Sequence, residues 1–244
     1  MPVESCLADK LSRYVELSAG ERAVLARFEE EERAYPRQTD IRRSGDVGDR
    51  LYAVKRGWLY SYADFADGRR QIVKVHTPGD IVGFPDLAYN EATTSLRTCG
   101  TAHVCPFPKR NLKQVLGEAP RLSALLLTIA LRDNVILVDT LKAMGRMSAR
   151  ERVAYFLLDM LARLRVLKGP QITSFDMPLS QTEIGDVIGL TNVYVSKTLG
   201  RLETAGRIRR EGGRIEILAE RELADMVDYR DRYAALDTSW FPHG

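Results

Sequence analysis

Residues 191–205, TNVYVSKTLGRLETA, combine side chains that read DNA bases with the spacing of a helix that has one buried face. Val195, Leu199 and Leu202 recur at i, i+4 and i+7, so a helix would bury them on one side. The other sides would expose Asn192, Val193, Tyr194, Ser196, Lys197 and Arg201. In the major groove asparagine can pair with adenine, lysine with guanine, and valine or tyrosine can contact the thymine methyl group. The segment therefore predicts a recognition helix.

The residues before this helix complete a helix-turn-helix pattern. Ser180-Gln181-Thr182-Glu183 is a capping box, in which the serine caps a helix start and the glutamate reaches back to it. We expect this start, with the hydroxyls of Ser180 and Thr182, the adjacent Gln181 and the free N–H groups, to hold a DNA phosphate. Gly189-Leu190-Thr191 would form the turn.

Two short strands, 207–210 and 214–218, are predicted to follow as a wing around Glu211-Gly212-Gly213. Four arginines would bring positive charge near the DNA backbone: Arg207, Arg209, Arg210 and Arg214. A winged helix that contacts only another protein is the alternative. The hydroxyl groups and cations on the exposed face of the recognition helix favour DNA.

A second set of residues could bind haem or a metal. Cys99, His103 and Cys105 differ by even numbers, so a regular strand would place them on one face, and His76 is a further candidate. Ligands strung along one strand converge poorly, and buried cysteine is common in protein cores. We favour structural roles and predict no metal or cofactor, with haem or another small effector as the alternative. The sequence shows no catalytic signature, so we predict a protein that is not an enzyme.

The first half of the chain reads as short helices followed by strands. Ser18 and Glu21 form a capping box that predicts a helix over about 19–32. Residues 51–54, 58–62 and 71–75 are rich in β-branched and aromatic side chains, and Asp67-Gly68 predicts a hairpin turn. We therefore expect an α+β protein whose N-terminal part is a β jelly-roll barrel.

A long helix is predicted over 120–143, beginning at Pro120. It carries two apolar stripes, which suit packing on the barrel and pairing with a second copy of the chain. One stripe is Leu122, Leu125, Ile129, Ile136 and Ala143, and the other is Leu127, Leu131, Val135, Val138 and Leu141. The alternative is a helix buried within a monomer, which Arg132, Asp133 and Asp139 disfavour. Gly145 is predicted to act as a hinge or C-cap.

These elements predict four segments. They are a sensor barrel over 1–118, a dimerisation helix and hinge over 119–146, a winged helix-turn-helix over 147–218 and a C-terminal helix and tail over 219–244. The last helix is expected at about 219–233. Residues 145–218 carry 12 Lys and Arg against 8 Asp and Glu, in a chain of net charge +3. No apolar run reaches the ~20 residues of a membrane span and no secretory signal is read, which predicts a cytoplasmic protein without membrane contact.

The order of these parts resembles the Crp–Fnr superfamily of bacterial transcription regulators. The resemblance covers about residues 20–218 and is strongest in IRRSGDVGDRLYAVKRGW, GRRQIVKVHTPGDIVG and LSQTEIGDVIGLTNVYVSKTLGRLETAGRI. Gly45, Gly57 and Gly79 fall at the family's barrel turns. The resemblance implies a cyclic-nucleotide-binding-type barrel, a dimerising helix and a C-terminal winged helix that binds double-stranded DNA.

Several positions depart from the family pattern. Members that bind cyclic AMP grip it with a glutamate and an arginine, whereas Phe84 and the segment Ala92-Thr93-Thr94 stand at those places here. We therefore predict no cyclic AMP dependence. Only Cys6 stands near the N-terminus, which argues against the iron–sulfur cluster of the oxygen-sensing branch. The family's effector cavity maps onto Gly83, Phe84, Leu87, Thr94, Ser95, Arg132 and Asp133.

The recognition helix departs as well. The familiar branches have glutamate where Val193 stands and arginine where Lys197 stands, whereas Ser196 matches the oxygen-sensing branch. We predict a homodimer, joined through 120–143, that binds an inverted repeat unlike the two familiar ones. RNA polymerase is a further expected partner. Two alternatives stay open: an effector-independent regulator, and a signal-binding module whose winged helix contacts a protein.

Overall fold

The computed structural model describes residues 5–242, which fall into two compact units. The first unit contains the chain up to Leu131 together with the segment from Leu236 onwards, and the second contains Arg132–Ala235. The boundary falls inside the long predicted helix. The outer ends of the predicted first and last segments, at residues 1–4 and 243–244, lie outside the described residues.

Eight antiparallel strands form two four-stranded sheets in the first unit, ordered β1-β8-β3-β6 and β2-β7-β4-β5. The strands are β1 Arg33–Tyr35, β2 Asp40–Arg42, β3 Arg50–Arg56, β4 Leu59–Asp64, β5 Arg70–His76, β6 Ile81–Val82, β7 Ser95–Thr98 and β8 Ala102–Pro108. This arrangement confirms the predicted jelly roll. The Asp67-Gly68 turn is confirmed too, since Gly68 adopts φ 83° between β4 and β5.

Three short helices flank the barrel: α1 Cys6–Leu11, α2 Ala19–Ala26 and α3 Leu112–Glu118. The capping box of Ser18 and Glu21 is present at the start of α2. The predicted helix over 19–32 is too long, because the chain tightens into a 3₁₀ turn at Arg27–Glu29 before β1 begins. That turn brings Phe28 onto Phe107 of β8, with ring centroids 4.3 Å apart, so packing on the sheet ends the helix.

The long helix α4, Pro120–Arg146, separates its two apolar stripes as predicted. Leu122 and Leu125 are fully buried in the core of the first unit. The second stripe remains exposed, at 42–62 %, in Leu127, Leu131, Val135, Val138 and Leu141. The predicted C-cap at Gly145 is wrong, because the helix continues through this residue to Arg146, and Gly145 is not among the residues of positive φ.

The second unit is a three-layered winged helix. Its helices are α5 Ala149–Lys168, α6 Gln181–Ile188, α7 Asn192–Thr204 and α8 Glu220–Val227. Its sheet has the order β10-β11-β9, from β9 Ser174–Asp176, β10 Ile208–Glu211 and β11 Arg214–Ile217. The predicted last helix over 219–233 is too long, because Asp228 adopts a left-handed φ of 48° and ends it.

A buried ion pair joins strand β2 to the turn after β6. Arg42 Nη1 lies 2.6 Å from Asp86 Oδ2, and both side chains are at least 95 % buried. Thr93 donates to the other carboxylate oxygen through its backbone N–H and its hydroxyl, at 2.8 and 2.7 Å. Arg42 also lies over the ring of Tyr52 in the opposite sheet, 5.7 Å from its centroid. This charged group therefore ties the two sheets and the 84–88 turn together.

Removal of one member of this pair should destabilise the barrel strongly. We expect Asp86→Ala to lower the free energy of unfolding by about 3–5 kcal/mol, because it leaves a buried guanidinium without its counter-charge. Urea denaturation followed by circular dichroism measures the loss. Asp67→Ala, which removes an exposed partner of Arg69 at the hairpin tip, is the matched control, with an expected loss of about 0–1 kcal/mol. Equal losses in both variants would contradict this assignment.

Candidate nucleic-acid interface

Helix α6 begins with a fully formed capping box. The backbone N–H of Ser180 donates to Glu183 Oε2 at 2.8 Å, and the backbone N–H of Glu183 donates to Ser180 Oγ at 3.2 Å. Glu183 is buried, although it carries a carboxylate, because these bonds satisfy it. Helix α6 then ends at Gly189, whose left-handed φ of 67° directs the chain into the turn.

The turn depends on a close backbone approach at Gly185. A Cβ atom on Gly185 would lie 2.3 Å from the carbonyl oxygen of Leu190, which is far inside van der Waals contact. The backbone N–H of Leu190 donates to the Gly185 carbonyl at 3.0 Å. Only glycine lets the two backbone segments come this close. The angle at which α7 leaves α6 is therefore fixed by the absence of a side chain.

Helix α7 presents its two faces as the sequence predicts. Thr191 caps it and accepts from the N–H of Tyr194. Val195, Leu199 and Leu202 are at most 3 % exposed. The predicted base-reading residues are all exposed: Asn192, Val193, Tyr194, Ser196, Lys197 and Arg201. Burial of one face against the unit thus leaves the other available to a ligand; contact with bases stays a prediction.

The two cations of this face are available for a partner. Within residues 5–242, neither Lys197 nor Arg201 has a carboxylate within 4 Å or a hydrogen bond to another side chain. The carboxylate of α7 that could neutralise them, Glu203, is held by Arg210 through Nη2 and Nε at 2.6 and 3.1 Å. The Arg210 guanidinium accordingly lowers the pKa of the Glu203 carboxyl below its ordinary value.

The wing differs from the expectation of free positive charge, because each of its four arginines has a carboxylate partner inside the unit. The pairs are Arg207 with Glu222, Arg209 with Glu216, Arg210 with Glu203 and Arg214 with Asp176. Arg209 and Arg214 remain more than half exposed. The wing can still approach a phosphate through these two side chains, but its net charge is far smaller than a count of arginines suggests.

The predicted phosphate clamp at the start of α6 also needs correction. Ser180 Oγ accepts from the N–H of Glu183 and donates to Glu183 Oε2 at 2.8 Å, so its hydroxyl is already engaged. Gln181 and Thr182 are exposed, and their N–H groups lie in the first turn, where a helix offers no internal acceptor. These two residues remain the candidates for phosphate contact at this end of α6.

Strand β9 was not predicted from the sequence. It pairs with β11, and Arg214 contacts both Ser174 Oγ and Asp176 Oδ1. The buried Phe175 between two polar residues gives the alternation of a strand. Three residues are too few for such a pattern to be recognised without its partner strand.

The residues mapped to an effector cavity do not come together within one unit. Gly83, Phe84, Leu87, Thr94 and Ser95 belong to the first unit, whereas Arg132 and Asp133 belong to the second. Phe84 packs against the core of the first unit, and Leu87 is 43 % exposed. Arg132 pairs with Asp133 and lies over the ring of Tyr233, 5.0 Å from its centroid.

The candidate haem or metal ligands are dispersed. Cys99 lies in the bend after β7 rather than on β8, so the prediction that it shares a strand face with His103 and Cys105 is wrong. His76 Nε2 bonds Ser61 Oγ at 2.8 Å, and His103 Nδ1 bonds Glu32 at 2.7 Å. Among residues 5–242, no three His, Cys, Asp or Glu side chains are grouped as a metal site, and none of the helices has the length and apolar character of a membrane span.

Gly185→Ala should disrupt the helix-turn-helix, because its Cβ would meet the Leu190 carbonyl. We expect the second unit to lose at least about 2 kcal/mol of stability, the scale of a forced backbone shift. Gly200→Ala in α7 is the matched control, since an added Cβ there meets nothing within 4 Å; it should gain about 0.5–1 kcal/mol from helix propensity. Thermal unfolding of both variants measures the difference. A Gly185→Ala variant as stable as the parent would disprove the close approach.

Comparison with known proteins supports this architecture. Residues 151–226 match the model of the Crp-like helix-turn-helix domain, and residues 32–119 match that of the cyclic nucleotide-binding domain. The chain is 36 % identical over 173 residues to the nitrogen fixation regulation protein FixK of Bradyrhizobium diazoefficiens, covering 71 % of this chain and 72 % of that protein. It is 29 % identical to the transcriptional activator protein Anr of Pseudomonas protegens, covering 76 % of this chain and 75 % of Anr.

A solved structure shows the same arrangement of elements. The structure of FixK2 from Bradyrhizobium japonicum superposes with a TM-score of 0.72 at 28 % identity, covering 80 % of this chain and 96 % of that one. The similarity thus extends over both the barrel and the winged helix. With the exposed face of α7 on its helix-turn-helix, these matches show that the chain belongs to the Crp–Fnr family of DNA-binding transcription regulators, which are not enzymes.

Proposed function

We propose that the protein acts as a homodimer in the cytoplasm and binds an inverted-repeat operator, with α7 of each copy in the major groove. The observation that carries this proposal is the exposed face of α7. It combines Asn192, Ser196 and Lys197 on one helix, and Lys197 has no acidic partner among the described residues. Such a face has no role in the folding of its own unit, and it matches the hydrogen-bonding edges of base pairs.

Dimer formation is supported by the exposed stripe of α4. Leu127, Leu131, Val135, Val138 and Leu141 follow spacings of four and three residues, which is the pattern of a coiled-coil seam. An apolar seam of this length is costly to leave in water. A second copy is the proposed occupant, because the same seam on both copies gives the two-fold symmetry that an inverted repeat requires.

The barrel residues do not fit a cyclic nucleotide. Residues 83–95, where the family grips the ligand, contain no lysine or arginine to pair with a cyclic phosphate. The charged side chain that this segment does bury is Asp86, a carboxylate, and Arg42 already neutralises it. A phosphate placed there would meet a like charge and no counter-charge. This arrangement favours the second candidate, a regulator that works without a cyclic nucleotide or any other effector.

Lys197→Ala should weaken operator binding. If Lys197 reads a guanine, we expect a loss of about 1–3 kcal/mol and a relaxed preference at one base pair of each half-site. Fluorescence anisotropy with duplexes selected from a random library measures both effects at two salt concentrations. Lys113→Ala, which removes an exposed cation of α3, should leave affinity unchanged. Undiminished binding by Lys197→Ala would remove α7 from the interface.

Leu131→Glu should separate the dimer, because it would bring a charge of each copy into the apolar seam. Analytical ultracentrifugation should then show a monomer, and affinity for the inverted repeat should fall while binding to a single half-site changes little. Leu116→Glu is the matched control, since Leu116 is an apolar side chain of α3 that is 71 % exposed. A Leu131→Glu protein that remains dimeric would contradict the proposed seam.

A further inference from the structure

The first turn of α7 displays two large side chains that the fold does not use. Val193 is 54 % exposed and Tyr194 is 59 % exposed, while the next residue, Val195, is fully buried. Val193 does not favour the helix either, because a β-branched side chain loses rotamer freedom there. An apolar group at this place therefore needs a ligand to explain it.

The position of Val193 decides which part of a ligand it can touch. It is the second residue of α7, after Thr191 as the cap and Asn192 as the first. Lys197 follows four residues later, so the two side chains lie one turn apart on the same face. Residues at the N-terminal end of a recognition helix are those that reach the base edges. Val193 thus lies within the row that faces the groove.

The same turn lacks any group that could read cytosine. Residues 191–202 contain no aspartate or glutamate, so no carboxylate can accept from the exocyclic amine of cytosine. The acidic residue of α7, Glu203, lies in its last turn and is held by Arg210. At the base pair that Val193 faces, the apolar feature available in the major groove is the C5 methyl group of a pyrimidine.

We propose that Val193 reads a pyrimidine C5 methyl group, so that each half-site requires thymine, or 5-methylcytosine, at one defined position. The proposal rests on the proposed function, in which α7 occupies the major groove. It makes the methyl group itself the recognised feature. Operator affinity therefore falls when the methyl is removed and rises when a cytosine at that position is methylated.

The test replaces single thymines by deoxyuridine, which removes the methyl group and keeps every hydrogen-bonding group of the base. Duplexes selected by the full-length protein from a random library supply the operator, and each thymine is exchanged symmetrically in both half-sites. At one position we expect a loss of roughly fourfold per half-site, or about fifteenfold for the palindrome, the value of burying one methyl group. 5-Methylcytosine at the same position should bind more tightly than cytosine by a similar factor.

Variants assign the effect to the side chain. Val193→Ala should bring the thymine-to-uracil ratio at that position close to one, and Val193→Glu should shift preference towards unmethylated cytosine by supplying an acceptor. Tyr194→Ala should leave the ratio unchanged, and Val73→Ala, at an exposed valine of β5, should leave both ratio and affinity unchanged. Equal binding of thymine and uracil duplexes at every position, or a ratio that persists in Val193→Ala, would overturn the proposal. Failure to select any duplex would instead overturn the proposed function.

Discussion

The angle between α6 and α7 depends on one close approach, between the Cα of Gly185 and the carbonyl of Leu190. No other residue leaves room for that carbonyl, and the hydrogen bond from Leu190 N–H to the Gly185 carbonyl holds the turn in place. Because the turn is fixed, the apolar stripe of α7 is directed into the unit and its polar stripe into solvent. The reading face is thus a consequence of backbone packing, and its chemistry can vary without any change of fold.

Charge is distributed in the second unit so that few cations remain free. The wing arginines and Arg165 are paired with carboxylates of neighbouring strands and helices. Exposed pairs of this kind add little stability, but they reduce the general attraction to the phosphate backbone. Lys197 and Arg201, which are exposed on α7, are left to meet the DNA. This distribution favours affinity that depends on the bases over affinity that depends on net charge.

The barrel keeps the family's architecture and changes its interior. The turn at 84–88 buries a carboxylate on Arg42, and Lys109 donates to the backbone carbonyls of Asp86 and Tyr89. A segment that binds a nucleotide in other barrels is here held by the protein's own side chains. Fold similarity to a nucleotide-binding domain therefore does not carry over its ligand, because ligand recognition belongs to particular side chains.

The sequence by itself determined the features whose cause is local. Capping boxes at Ser18, Ser148 and Ser180, the hairpin glycine at Gly68 and the stripe of Val195, Leu199 and Leu202 act within a few residues, so their pattern was enough to place the elements. The two stripes of α4 and the polar face of α7 followed from helical periodicity alone.

Only the tertiary structure decided which partner each group has. The ends of the 19–32 and 219–233 helices, the place of Cys99 outside β8 and the existence of β9 depend on contacts with distant strands and helices. The same is true of the engagement of Ser180 by Glu183 and of the wing arginines by Asp176, Glu203, Glu216 and Glu222. Neutralisation and burial depend on distances in space, which one-dimensional spacing does not fix beyond a turn of helix or a pair of strands.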